Sequence, residues 1–385
     1  MSVEAPEQFD APPAAEGLEE ARGARLAVSD MLLYAVLIAA SLAAALGVAA
    51  ALLAVTGHDA SEAFSEMWTG SFGSKSAFFT TLNHTAPILV VAIGACIAGR
   101  AGLINIGFEG QFLIGGLAAA AIAVKVGGAS IVVLPLMFVA AIVAGALWAG
   151  IAAVLRYTRG ISEVFSTLLL NFLAFQLVTW MLDRQYLLQG PVYPGAPPSD
   201  LRVESEMIPP SAQMPFLAQG SGYILQFAVL FAILIALVSA FVIARTRWGF
   251  ELRLTGLSPR AARRFGVSVA VVGGAALVTS GGLAGFAGAA FLSGTAYRVT
   301  PGFASNYGWE GLLAGFVADF RPMLAIPVAV LYGAVRAGGG LLTATGVSTN
   351  IVGVIQALIV VAVTVPALYM RRRARLRELR TAERA

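Results

Sequence analysis

Asn105-Ile-Gly-Phe-Glu-Gly110 and Asn306-Tyr-Gly-Trp-Glu-Gly311 are two copies of one pattern. Each copy runs asparagine, glycine, aromatic, glutamate, glycine at the same spacing. Two shorter pairs follow in the same order: Gly145-Ala-Leu-Trp-Ala-Gly150 with Gly333-Ala-Val-Arg-Ala-Gly338, then Gly160-Ile-Ser162 with Gly346-Val-Ser348. Small-residue motifs recur by chance in a chain rich in Gly and Ala. The shared order gives the shorter pairs a weight that neither has alone.

Around these copies, apolar residues fall into blocks of about 18 or more that exclude charge, the length a helix needs to cross about 30 Å of hydrocarbon. Of 385 residues, 58% are hydrophobic and 12% charged, whereas a soluble domain carries about 25% charged residues. Glycine occurs 42 times, and small residues let membrane helices approach closely. The blocks predict an all-α integral membrane protein with about ten segments. They span residues 31–55, 86–98, 107–124, 131–155, 164–182, 223–244, 269–292, 309–318, 323–335 and 351–369. The eighth is short and reads as re-entrant or broken. An amphipathic stretch with Trp68 reads as lying at the outer interface.

Orientation follows from arginine in short loops. An inside N-terminus puts Arg100, Arg156, Arg159, the arginines of 245–264, Arg321 and Arg371 to Arg373 inside. Arg184, Arg202 and Arg298 then fall outside. Both termini are therefore expected in the cytoplasm, with an even number of spans. The repeat matches segments three to five with eight to ten, a shift of five. An odd shift inverts the second copy, giving a 5+5 inverted repeat. The expected organisation is a disordered cytoplasmic tail (1–30), a membrane domain (31–370) and a basic cytoplasmic tail (371–385). The domain has halves 31–184 and 223–370, an outer loop 183–222 and a cytoplasmic segment 245–268. No cleavable leader is read at the N-terminus.

Glu109 and Glu310 are the sharpest candidates for function. A carboxylate at membrane depth is costly unless paired or hydrated. Each follows an asparagine, Asn105 or Asn306, that can cap a helix start and leave N–H groups facing a polar solute. Two readings stay open: contact with the solute path, or a structural partner for nearby N–H groups. Phe108 and Trp309 hold equivalent places. They suit an aromatic wall for a flat ring, or plain packing. Asn171, mid-membrane, suits an interhelical hydrogen bond or a path lining. The net charge of +4 lies in short clusters between apolar blocks and does not suggest nucleic acid. Cys96 has no partner cysteine, and His58 and His84 form no metal-ligand cluster. No cofactor is expected. No G-x-x-x-x-G-K-[ST] run is present, so ATP hydrolysis in the P-loop manner is excluded.

In the segment 245–268, Ser258 can cap a short basic helix that opens on Pro259. Charge alone makes it a solvated loop or a lipid-headgroup anchor. Its Ala261, Ala262 and Phe265 also suit docking into a groove of another protein.

Gly102-Leu-Ile-Asn-Ile-Gly-Phe-Glu-Gly-Gln-Phe-Leu-Ile-Gly115 resembles the signature of permease subunits in the branched-chain amino acid and simple-sugar branch of ABC importers. The nearest likeness is to nucleoside-type permeases. Arg247-Trp-Gly-Phe-Glu-Leu-Arg253, Gly256-Leu-Ser-Pro-Arg-Ala-Ala262 and Gly266 resemble that family's cytoplasmic coupling segment. Leu331 to Gly338 and Glu163 to Asn171 are also similar to family stretches. The family often has Asn where Ser258 stands, and both residues cap helices.

The resemblance implies a cobalamin-importer-like fold. It also implies ATPase coupling through Arg253, Gly256, Ser258, Pro259, Ala261, Ala262, Arg263, Arg264 and Phe265. Implied partners are a cytoplasmic ABC ATPase, a second permease and an extracytoplasmic solute-binding protein, in a bacterial inner membrane with lipid around the helices. The long outer loop resembles that of the larger permease of a heterodimer. The expected solute is a nucleoside or related simple sugar. The competing readings are an ion-coupled secondary transporter and a channel. A secondary carrier needs no ATPase-docking helix, and broken, asymmetric helices disfavour a channel.

Overall fold

The computed structural model describes residues 13–184, 187–190 and 203–382. Thirteen helices follow in order among them: α1 Pro13–Val55, α2 Ala60–Phe72, α3 Lys75–Arg100, α4 Phe108–Lys125, α5 Ser130–Arg159, α6 Glu163–Leu182, α7 Phe227–Arg245, α8 Arg247–Leu257, α9 Pro259–Arg264, α10 Val269–Phe291, α11 Tyr307–Val317, α12 Pro322–Ala344 and α13 Thr349–Ala382. Nine of these are long and apolar enough to cross a membrane. The short α11 lies where the broken eighth segment is expected.

α3 is the central helix. Its residues 86 to 98 are buried without a break, because α7, α10, α11 and α12 all pack on it. It starts at Lys75, about three turns before the expected residue 86, in a more polar stretch. Ser74 Oγ caps it by accepting the Ala77 N–H, and Thr81 finds an acceptor in Ser71 O at 2.9 Å. A capped, hydrogen-bonded polar turn continues a helix even though hydropathy ends. α5 and α10 meet backbone to backbone. A Cβ on Gly285 would stand 2.1 Å from Ala141 O, so only glycine permits this approach. Gly281-Gly282 and Gly338-Gly339 likewise pack inside continuous helices, α10 and α12. α1, α2, α12 and α13 share a smaller apolar cluster around Leu53, Met67, Leu342 and Ile355. Trp68 stays exposed on α2 while Ser71 of the same helix donates to Ala334 O of α12.

Three features differ from the expectations. The helix α1 takes in residues 13–30 of the stretch read as a tail. Pro13 opens it, and the Ala, Leu, Glu and Arg that follow are strong helix formers. Residues 1–12 lie outside the described residues. The basic tail after residue 370 likewise continues α13 to Ala382. The sixth membrane segment begins at Phe227 and not Tyr223. Tyr223–Gln226 is a strand, β2, paired antiparallel with β1, Phe216–Gly220. Gly222, at φ +79°, makes the tight turn between them.

The described part of the outer loop also clamps the end of α10. Ser205 N–H donates to Val299 O, Ile208 N–H to Tyr297 O and Met214 N–H to Ser293 O, all at 2.8–2.9 Å. Arg298 pairs with Glu204 at the same end.

Candidate functional site

Before α11 the chain turns through two consecutive left-handed residues, Ser305 (φ 44°) and Asn306 (φ 70°). The turn aims the Asn306 and Gly308 N–H groups at one side. Glu109, in the first turn of α4, accepts both at 2.8 Å. A carboxylate at a helix N-terminus meets the positive end of the dipole with charge-assisted hydrogen bonds. Glu109 of one pattern copy therefore caps the helix of the other. The approach is close: a Cβ on Gly308 would lie 2.3 Å from Glu109 N.

Glu310 takes a different partner. Both its carboxylate oxygens accept from the Arg336 guanidinium of α12 at 3.2 Å. The same guanidinium donates to Ser305 O at 3.0 Å and lies 3.9 Å from the Tyr307 ring centroid. The Tyr307 hydroxyl meets His84 Nδ1 of α3 at 2.6 Å. One largely buried ion pair, one aromatic ring and one imidazole thus tie α3, α11 and α12 together. Neither Arg336 nor His84 was a candidate from sequence. Arg336 had a signal, as the one charge in the apolar run of α12. His84 had none beyond being one of two histidines.

The first pattern copy is built differently. Asn105 makes no cap on α4, whose N-cap position is Gly107. Its amide instead accepts the Gly107 N–H at 2.9 Å and donates to Gln111 Oε1 and Ser280 Oγ, each at 2.9 Å. The start of α4 is held by α6. Asn171 Oδ1 accepts the Gly110 N–H at 2.8 Å, and its Nδ2 donates to Ile106 O. Asn306 makes no side-chain cap on α11 either. Cross-helix partners supply what local side chains do not. Phe108 is 1% exposed and packs in the core, so it offers no aromatic wall. Trp309 is partly buried.

The basic segment forms two helices joined at Ser258. Thr246 Oγ1 caps α8 by accepting the Gly249 N–H. Ser258 Oγ caps α9 by accepting the Ala261 N–H at 3.3 Å, with Pro259 next in line. Arg253 Nε turns back onto Gly249 O. Gly256 lies against the loop after α3, where a Cβ would stand 2.2 Å from Arg100 O. Ala262 is fully buried against the body and Ala261 partly so. This corrects the expected docking face, because a six-residue helix needs a buried anchor of its own. The outward surface is Leu257 (86% exposed), Phe265 (79%) and the exposed Arg260, Arg263 and Arg264.

Other elements collect at this end of the bundle. Arg100 Nε donates to Phe320 O at 2.9 Å. Arg156 pairs with the buried Glu163, whose other oxygen accepts the Ile104 N–H at 3.4 Å. Arg100, the Arg156–Glu163 pair and Gly256 thus lie around the loop that follows α3. The hairpin, Glu204 and Arg298 gather elsewhere.

The profile of the family described as branched-chain amino acid transport system / permease component matches residues 77–364. The chain is 33% identical over 340 residues to a glucose ABC transporter permease protein of Haloferax volcanii, covering 86% of this chain and 87% of that one. It is 28% identical to a guanosine ABC transporter permease protein of Bacillus subtilis, over 83% of this chain and 89% of the other. A nucleoside ABC transporter permease protein of Lactococcus lactis subsp. cremoris is 24% identical, over 82% and 86%.

Proposed function

This chain belongs to the permease-component family of the branched-chain amino acid transport systems, and from that premise we propose that it carries nucleosides or related simple sugars through the inner membrane. It is a transport subunit of an ABC system and not an enzyme. The observation that carries the coupling role is the anchored helix α9, which turns three arginines and Phe265 outward. A basic, apolar-tipped helix of this kind suits a cleft on a separate ATPase. A carrier driven by an ion gradient has no use for it, and the similar proteins are ABC permeases.

In this reading the ends of α3 and α12 near α9 face the cytoplasm, as do both termini. The membrane domain has ten segments in a 5+5 inverted repeat of the cobalamin-importer type. The pattern identity around Glu109 and Glu310 supports the repeat. A solute-binding protein delivers solute to the hairpin end, and the long outer loop helps it dock. A second, shorter permease completes the pair. ATP binding by the ATPase moves α9 and the α8 joined to it. Gly256 passes that motion to the loop after α3, and the central helices tilt.

The test replaces Arg263 and Arg264 together by alanine. Solute-stimulated ATP hydrolysis in the assembled complex is expected to fall severalfold, with the permease level in the membrane unchanged. Undiminished stimulation would falsify the docking role. A thermal-shift screen of the cognate binding protein against nucleosides, sugars and leucine identifies the solute class. A shift with leucine alone would overturn the nucleoside and sugar reading.

A further inference from the structure

At the hairpin end, α10 does not stop as an α-helix. Leu292–Ala296 widens into a π-turn, and Tyr297 follows at φ +58°. Such turns free carbonyls from the helical ladder and are frequent at functional sites. Gln226, at the start of α7 and 7% exposed, reaches into this turn and donates to Gly294 O and Thr295 Oγ1. Asn83 of α3 fixes the hairpin, donating to Ile224 O and accepting the Gln226 N–H. Between α3, the hairpin and the π-turn lies a cavity of about 400 Å³.

The lining of this cavity is polar, and one cation stands at its edge, the Lys75 ammonium 4.1 Å from the Tyr223 ring centroid. Thr80, Asn83, Tyr223, Gln226, Thr295 and Tyr297 surround it, and no Asp, Glu, Lys, Arg or His is among the described lining residues. Two of its hydroxyls are left as acceptors. The Thr80 hydroxyl spends its proton on Ser76 O, and the Tyr297 hydroxyl spends its own on Gly294 O. Each oxygen keeps lone pairs for an incoming donor. A zwitterionic amino acid needs an anion for its ammonium, and the described lining supplies none. A sugar ring brings several hydroxyl donors and no ammonium that needs an anion.

We propose that this cavity is a solute site at the outer mouth, selective for a neutral sugar ring, either free or as the ribose of a nucleoside. The site rests on the proposed transport role and narrows it, since its chemistry rejects amino acids. Solute leaving the binding protein docks here before the central helices open.

The test uses the complete transporter, with its ATPase, second permease and binding protein, in proteoliposomes. Uptake of radiolabelled guanosine is followed, with ribose, glucose and leucine as competitors. The double variant Thr80→Val/Thr295→Val keeps side-chain shape and removes two hydroxyls. It is expected to raise KM about tenfold with the maximal rate little changed. Thr80→Trp, which fills the cavity, is expected to abolish uptake while the complex still assembles. Competition by ribose or by glucose supports recognition of the ring, and the two arms separate the ribose of a nucleoside from a hexose. An unchanged KM in the double variant overturns the site, whatever Thr80→Trp does to assembly, and leaves the transport role standing. Uptake of leucine with no uptake of guanosine, ribose or glucose overturns the transport reading itself.

Discussion

Glu109 is the residue on which the most depends. Two backbone N–H groups of α11 have it as their acceptor, at 2.8 Å each. Glu109→Ala strands both in a buried site. Stability of the purified protein is expected to fall by about 3 kcal/mol, read from thermal unfolding in detergent. Glu109→Gln keeps one acceptor oxygen and should lose about half of that. A Glu109→Ala protein as stable as the parent would remove the capping role. Arg336 invites a different experiment. Arg336→Met leaves Glu310 without its counterion, at a cost of about 3 kcal/mol, and the further change Glu310→Gln should recover most of it. Additive losses would mean that the pair is not coupled. That a glutamate stood at each of these depths was plain in the sequence. Which partner each takes was not. The two pattern copies are alike in residues, yet one carboxylate faces free N–H groups and the other a guanidinium from a helix 26 residues away.

At the scale of elements, α8 and α9 show what local sequence can specify. Ser258 and Pro259 define the start of α9, because a hydroxyl acceptor followed by a fixed φ favours a helix at once. The short α11 was equally readable, since a glycine pattern and a brief apolar run bound it. The hairpin was not, because Tyr223 to Gln226 is apolar enough to pass for the start of α7 and pairs only through β1. The face that α9 turns outward also escaped sequence reading. Its six residues give too little periodicity to separate the buried Ala262 from its neighbours. Gly256→Ala tests the link between this segment and α3. The added methyl group would meet Arg100 O at 2.2 Å, so α8 must shift at a cost of about 1–3 kcal/mol. Permease levels should hold while solute-stimulated ATP hydrolysis drops. A full ATPase response would show that the contact transmits nothing.

For the whole molecule, the proposed topology is open to direct labelling. Ser221→Cys in the hairpin and Arg264→Cys in α9 are both at exposed positions, and the native Cys96 is buried. A membrane-impermeant maleimide on intact cells should label the first and not the second; the reverse pattern would invert the orientation. The sequence by itself determined the class of molecule, the rough course of most of its apolar helices, the repeated pattern and the basic segment 245–268. All of these follow from hydropathy, charge and short-range capping, which act on neighbours in the chain. Only the tertiary structure decided that Glu109 caps α11 and that Asn171 holds α4. It likewise set Arg336 and His84 around Tyr307 and hung the hairpin over the π-turn of α10. Each is a contact between groups far apart in sequence, in an interior where a buried polar group must find a partner but its own residue type does not say which. The repeated Asn-Gly-aromatic-Glu-Gly pattern marks two helix starts, and the packing between them assigns their two carboxylates different work.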